Sequence, residues 1–261
     1  MAVPKLLSVI FLLFFLQQKA NAQGLSVGFY NETCPSVEAI IYETTAKFVS
    51  RAPSLAPAML RMHFHDCFVR VKGPRWRVRL GRRDGNVSMA SEALPNLPPP
   101  SFNVTQLIAS FAAKGLSVKD LAVLSGGHTI GVSHCFSFSN RLDNFTGRKD
   151  ADPSMDPKYV SALKKRCRPS DTTTIVLMDP GSSQTFDVDY YTLVRKRRGV
   201  LQTDAALLND NAASAYVELH ATASGESSFF QDFAESMVRM GQIGVLTGTA
   251  GQIRNICSAV N

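Results

Sequence analysis

Apolar residues along this chain recur at helical rather than strand spacing. After Pro35, the positions Val37, Ile40, Ile41, Thr44 and Phe48 predict a helix with Pro35 in its first turn. Pro53 and Pro57 frame the start of a second helix. It runs without a breaker from Ala58 through Met59, Leu60, Arg61, Met62, His63, Phe64 and His65 to about Phe68. Ser117 and Asp120 have the spacing of a capping box ahead of Leu121, Val123 and Leu124, and Gly126 with Gly127 ends that helix. Phe230, Phe233, Met237 and Met240 form an apolar stripe closed by Gly241, which reads as core packing. Residues Pro95 to Pro100 predict a stiff extended segment, and Asp179-Pro-Gly-Ser-Ser predicts a turn. Strand patterns are short and weak, so the chain is expected to be mainly α.

The N-terminus has a different character. Leu6 to Leu16 is an apolar run behind Lys5, followed by Ala20-Asn21-Ala22. This is the pattern of a signal peptide over residues 1–22, cut after Ala22. The run is too short to span a bilayer. The mature chain, 23–261, is therefore expected to be exported and to need no membrane. Losing Lys5 and Lys19 takes the formal charge from +7 to +5. Basic charge in an exported protein points to acidic polysaccharide or lignified wall as surroundings, and export leaves nucleic acid out as a partner. The run Arg195-Lys196-Arg197-Arg198 accordingly reads as a solvated turn. Asn31, Asn86, Asn103 and Asn144 each stand in an N-x-Ser/Thr sequon and predict glycosylated surface positions. The 5 cysteines, Cys34, Cys67, Cys135, Cys167 and Cys257, are an odd number, so at least one thiol has no partner within the chain.

Two constellations carry chemistry. On a helix, Arg61 and His65 share a face, where a base beside a fixed cation can remove a proton and stabilise the charge that develops. His63 and His65, two residues apart, face different ways, which argues against a zinc pair. The second constellation is Leu124-Ser-Gly-Gly-His128-Thr129-Ile-Gly131. Its paired glycines permit a close backbone approach, and His128 just beyond them could ligate a planar cofactor.

His63-Phe-His-Asp-Cys-Phe-Val69 and Leu124-Ser-Gly-Gly-His-Thr-Ile-Gly131 resemble the distal and proximal signatures of class III plant secretory haem peroxidases. Gly81-Arg-Arg-Asp-Gly85, the Asn-Leu-Pro-Pro-Pro segment and Leu246-Thr-Gly-Thr-Ala-Gly-Gln-Ile-Arg254 are similar to further landmarks of that family. The resemblance spans nearly the whole mature chain. It implies a two-lobed, mainly helical fold around one haem b. It makes His128 the axial iron ligand and Asp204 the carboxylate that accepts from the other ring nitrogen. His65 would take a proton from hydrogen peroxide and return it to the leaving oxygen, while Arg61 stabilises the developing negative charge. Phe64 would lie beside the open face of the iron, and Pro98 near the entrance for small phenolic donors. Thr129, Asp179, Ser182, Thr185 and Asp187 match a proximal calcium set, whose oxygens suit that hard cation. Cys135 and Cys167 match a disulfide.

The resemblance also exposes a gap. Asp66 and the Val69 carbonyl belong to a distal calcium set, but the segment that would complete it is missing. The chain passes from Arg70 to Gly73-Pro74 where the family carries two helices, an Asn that orients the distal histidine, and three cysteines. The domain 23–261 is therefore expected to be internally truncated between about 70 and 73, with an incomplete distal lobe, no tight distal calcium, and Cys34, Cys67 and Cys257 without their family partners. The junction gathers Arg70, Lys72, Arg75, Arg77 and Arg79 into a basic run. The sequence predicts a secreted, monomeric peroxidase of the cell wall, apoplast or vacuole. The alternative is an inactive peroxidase-like protein that binds only haem or wall polymer.

Overall fold

The computed structural model of the protein describes residues 24–52, 55, 73–74, 76–222, 225–256 and 259–261. The signal segment, the helix expected over 58–68 and the junction residues Arg70 and Lys72 lie outside them. Among the described residues the structure is mainly helical, with one two-stranded sheet. No helix there is long and apolar enough to cross a membrane.

Helix α1 (Val37–Arg51) forms where the apolar spacing predicts it, although Pro35 stands before the first turn rather than within it. Its facing differs from the expectation. Ile40 and Phe48 are 54% and 55% exposed, whereas Thr45 and Val49 are buried. Periodicity defines a stripe, but only a packing partner decides which stripe is covered. The next turn, α2 (Ala93–Asn96), corrects the reading of 95–100 as extended throughout, because Pro95 sits inside it. A proline is tolerated in a first turn, where amides have no intrahelical acceptor.

Helix α3 (Val104–Ala112) begins at Asn103, which exchanges bonds of 3.0 Å with Gln106 in both directions. Helix α4 (Val118–Ser125) begins with the expected capping box. The Asp120 amide donates to Ser117 Oγ at 3.1 Å, and the Ser117 amide donates to the Asp120 carboxylate at 2.9 Å. It ends at Gly126, and a 3-10 turn (Gly126–Thr129) continues the chain. A Cβ at Gly126 would overlap the Tyr191 hydroxyl and the Phe229 ring, so this glycine lets α4 end against the aromatic core.

Strand β1 (Val132–His134) pairs antiparallel with β2 (Ile175–Leu177), with Ser133 opposite Val176. Between them in sequence come α5 (Ser139–Leu142) and α6 (Pro157–Arg166), the latter capped by Asp156. Helices α7 (Asp189–Arg195), α8 (Gln202–Ala206), α9 (Asn211–His220) and α10 (Glu226–Met240) follow. Of the basic run, Arg195 closes α7 and a turn follows from Lys196, part of which is engaged. Arg197 donates to the Ser154 carbonyl at 2.9 Å, and Arg198 pairs with Asp156 at 3.4 Å. All four sequon asparagines are exposed.

The described residues fall into two compact units. One joins the residues up to Ile40 with Arg77–Met89 and Gly244–Asn261, and is tied by bridges such as Asp84 with Gln252. The other, Ile41–Trp76 with Ala90–Ile243, holds the cores. Its main core packs α4, α7, α9 and α10 around Phe186, Tyr190, Tyr191, Phe229 and Phe233. In the α10 stripe Phe233 and Met237 are buried, and Phe229, outside the predicted stripe, is wholly buried beside them. A second cluster surrounds the Cys135–Cys167 disulfide, whose Cα atoms are 5.5 Å apart.

Arg141 binds this second cluster to the chain that leads into α8. It is 1% exposed. Its Nε donates to Asp152 at 2.7 Å, and its Nη1 donates to the carbonyls of Gly199, Val200 and Leu201 at 2.7 Å each. Removing one partner of such a pair leaves a buried charge and several carbonyls without donors. Arg141→Leu is therefore expected to lose about 3–5 kcal/mol of stability in urea unfolding. A loss no larger than that of a surface substitution, about 0.5 kcal/mol, would contradict this assignment.

Candidate functional site

His128 is presented by the 3-10 turn that follows α4. Its side chain is 36% exposed, and its Nδ1 lies 2.8 Å from Asp204 Oδ1. Asp204, at the third position of α8, is 1% exposed. Its Oδ1 also accepts from the Tyr190 hydroxyl at 3.0 Å, and its Oδ2 accepts from the Leu201 amide at 2.8 Å. Asp204 thus closes one half of a capping box while it holds the histidine. Leu201 has no side-chain oxygen to return the other half.

Burial pushes the Asp204 carboxyl up, but the facing His128 ring, the Leu201 amide and the Tyr190 hydroxyl outweigh it and hold the carboxyl below the usual carboxylate range. Asp204 is therefore ionised at neutral pH, and the shared proton sits on His128 Nδ1. No hydrogen bond engages Nε2 among the described residues. Gly199 makes the arrangement possible, because a Cβ there would come within 2.6 Å of Asp204 Cβ.

The residue after the histidine opens a second cluster. The Thr129 hydroxyl lies 3.3 Å from the Asp179 carboxylate and 3.0 Å from that of Asp187. Asp179 further accepts from the Ser182 hydroxyl at 3.1 Å and from the Gly181 amide at 3.1 Å. Thr185 joins through its amide, which donates to the Ser182 carbonyl at 2.7 Å. Burial raises the Asp179 carboxyl; the amides of Ser182 and Gly181 oppose the rise, and the neighbouring Asp187 adds to it. Two carboxylates converging on one hydroxyl make a site that a cation would relieve.

Of the other sequence-derived positions, Pro98 is exposed on the segment between α2 and α3. Arg61, Phe64, His65, Asp66 and Val69 lie outside the described residues, as do Cys67 and Cys257. Cys34 is a free thiol. Two contributors to the site were not read from the sequence. Tyr190 gives Asp204 a third donor, and Arg141 fixes the carbonyls just before α8. A tyrosine pair at a helix start and a lone arginine carry no local pattern that distinguishes these roles.

The family model described as peroxidase matches residues 69–223. The chain is 43% identical to "Peroxidase 27" of Arabidopsis thaliana over 97% of each chain. It is 41% identical to "Peroxidase 56" of the same plant, over 98% of this chain and 96% of the relative. It is also 41% identical to "Peroxidase 1" of Oryza sativa subsp. japonica, over 93% of this chain and 94% of the relative. The first of these alignments runs over 316 residues against a chain of 261, so at least 55 of its positions face a gap in this sequence. With the matched region enclosing both His128 and Asp204, the chain belongs to the peroxidase family.

Proposed function

We propose that this protein is an exported haem peroxidase that reduces hydrogen peroxide and oxidises phenolic donors by one-electron steps. The observation that carries the reading is the His128–Asp204 pair at 2.8 Å in a chain of this family. The donor set fits an iron porphyrin on this side. An imidazole with one nitrogen tied to a buried anion offers the other as a basic, oriented ligand. Haem bound there supplies the electron transfer between peroxide and donor. The protein's share is to hold the ring and keep the Nδ1 proton on the His128 side of the pair. On the family pattern, His65 would accept the peroxide proton and deliver it to the leaving oxygen, and Arg61 would offset the charge that develops there. By the same resemblance Phe64 would lie beside the haem and Pro98 near the entrance of the donor.

Thr129, Asp179, Ser182, Thr185 and Asp187 form a calcium site that clamps the residue next to His128. The distal set, reduced to Asp66 and the Val69 carbonyl, binds calcium weakly or not at all. On the family pattern the missing segment lies between about residues 70 and 73, and its absence leaves Cys34, Cys67 and Cys257 without their family partners. The protein acts as a monomer in the cell wall, apoplast or vacuole, where its basic surface meets acidic polysaccharide.

The function is tested on haem-reconstituted protein. A stable Soret band that shifts on adding peroxide, together with consumption of a small phenol, is expected. A band that peroxide leaves unchanged would contradict the reading.

Asp204 gives a pH dependence of known sign. Its folded-state pKa lies below the unfolded value of about 3.9, so the stabilisation is fully present above that value and is lost as pH falls through the folded one. Haem release, followed by the Soret band, is expected only below about pH 4. At neutral pH, Asp204→Asn is expected to weaken haem binding by about 10–100-fold. Equal affinity of the two proteins would contradict the role assigned to the carboxylate.

Calcium at a hundredfold excess over its Kd is expected to stabilise the protein by about 2.7 kcal/mol. That amounts to a Tm rise of roughly 5 °C or more, and Asp187→Asn is expected to abolish the rise. A Tm that calcium does not move would rule the site out.

A further inference from the structure

We propose that Ser228 and His220 form a nucleophile–base pair, a second site at which small neutral esters transfer their acyl group to the Ser228 hydroxyl. The proposal does not depend on haem and concerns side chains that the reaction at His128 does not use.

Two helices bring the pair together. His220 closes α9, and Ser228 is the third residue of α10. Between them Gly225 meets the end of α9 directly. A Cβ there would come within 2.8 Å of His220 Cα and 3.0 Å of the Leu219 carbonyl oxygen, so only glycine permits the approach. Side chains on a helix lean toward its N-terminus. Ser228 accordingly carries its hydroxyl back to this junction, 3.0 Å from His220 Nε2 and 3.0 Å from the Gly225 carbonyl.

The other ring nitrogen fixes the tautomer. His220 Nδ1 lies 2.9 Å from the Tyr216 carbonyl, which can only accept, so Nδ1 carries the ring proton. Burial lowers the His220 pKa; the Tyr216 carbonyl and the Asp232 charge oppose the fall, and Lys119 adds to it. The ring is therefore neutral at neutral pH, and Nε2 accepts from the Ser228 hydroxyl. Its orientation is held by the Tyr216 ring, stacked at 3.9 Å, and by the Tyr191 ring at 5.6 Å. A serine bonded to a base that a third group orients is the arrangement that activates a hydroxyl. His220 is wholly buried, whereas Ser228 is exposed, so solutes meet the base only through the hydroxyl it polarises.

The first turn of α10 completes the site. Gly225, its N-cap, brings no side-chain oxygen, and the amides of a first turn have no acceptor within the helix. They stand at the positive end of a 15-residue helix, where negative charge developing on a carbonyl oxygen is favoured. Glu226, exposed in the same turn, disfavours anionic substrates, and Leu219, 62% exposed beside the junction, offers apolar footing. The class that fits is a neutral ester of an aromatic or apolar alcohol.

The step balances. The Ser228 oxygen attacks the ester carbonyl carbon while its proton passes to His220 Nε2. That proton moves to the departing oxygen, which leaves as the alcohol, and acyl-Ser228 remains. Water, giving a proton to the same nitrogen, then releases the carboxylic acid and restores the serine.

The test treats the purified full chain, without peroxide, with 4-nitrophenyl acetate. An acetyl group on Ser228, located by peptide mass spectrometry, is expected, with a release of 4-nitrophenolate that Ser228→Ala loses. His220→Phe keeps a ring against Tyr216 and leaves the serine in place. With its fold confirmed by circular dichroism, it is expected to acetylate Ser228 about 10²–10⁴-fold more slowly. In the wild type the acetylation rate is expected to rise with pH to a plateau, with its midpoint below the ordinary histidine value of about 6.5, as His220 loses its second proton. Acetyl groups on lysines with none on Ser228, equal rates in His220→Phe and the wild type, or a wild-type rate that climbs with hydroxide without a plateau would overturn the pair. Neither reagent nor readout involves haem, so failure here and failure of the haem reading are separate results.

Discussion

The hydrogen bond between His128 and the buried Asp204 carboxylate is the constraint around which the site is arranged. A charge as buried as Asp204 persists only when its oxygens are satisfied. Here three donors do so: the His128 ring, the Tyr190 hydroxyl and the Leu201 amide. Each donor is fixed by a different element. Gly126 lets α4 end close enough to the aromatic core for the next turn to carry His128 inward. Arg141 grips the three carbonyls from Gly199 to Leu201, which sets the start of α8. Thr129, bound between Asp179 and Asp187, holds the other side of the histidine's backbone. The single bond at the imidazole is thus the meeting point of a helix end, a buried arginine and a carboxylate cluster.

Much of this was legible in the sequence because it rests on local rules. The capping box of α4, its glycine stop and the helical spacing of α1 and α10 are all short-range, and the structure contains each of them. The proximal motif named His128, and family resemblance named Asp204, 76 residues away. What was not legible depends on partners distant in sequence. The burial of Arg141 is decided by carbonyls some 60 residues later, and nothing in its neighbourhood marks it. Pro95 looked extended because it lies in a proline-rich run, yet one turn of helix needs no amide from it.

Helix α1 shows the same limit from the other side. Its apolar positions form a helix, but Ile40 and Phe48 face solvent while Thr45 and Val49 are buried. Local propensity and periodicity suffice to form a helix, whereas its facing requires a partner.

The claim on which the whole account turns is that an anionic Asp204 makes His128 an electron-rich ligand. Resonance Raman spectroscopy of the reduced, haem-loaded protein reads this directly as the iron–histidine stretching frequency. The account predicts a high frequency in the wild type and a clear fall in Asp204→Asn, because an amide cannot draw the Nδ1 proton as a carboxylate does. The same frequency in both proteins, or no iron–histidine band at all, would contradict it.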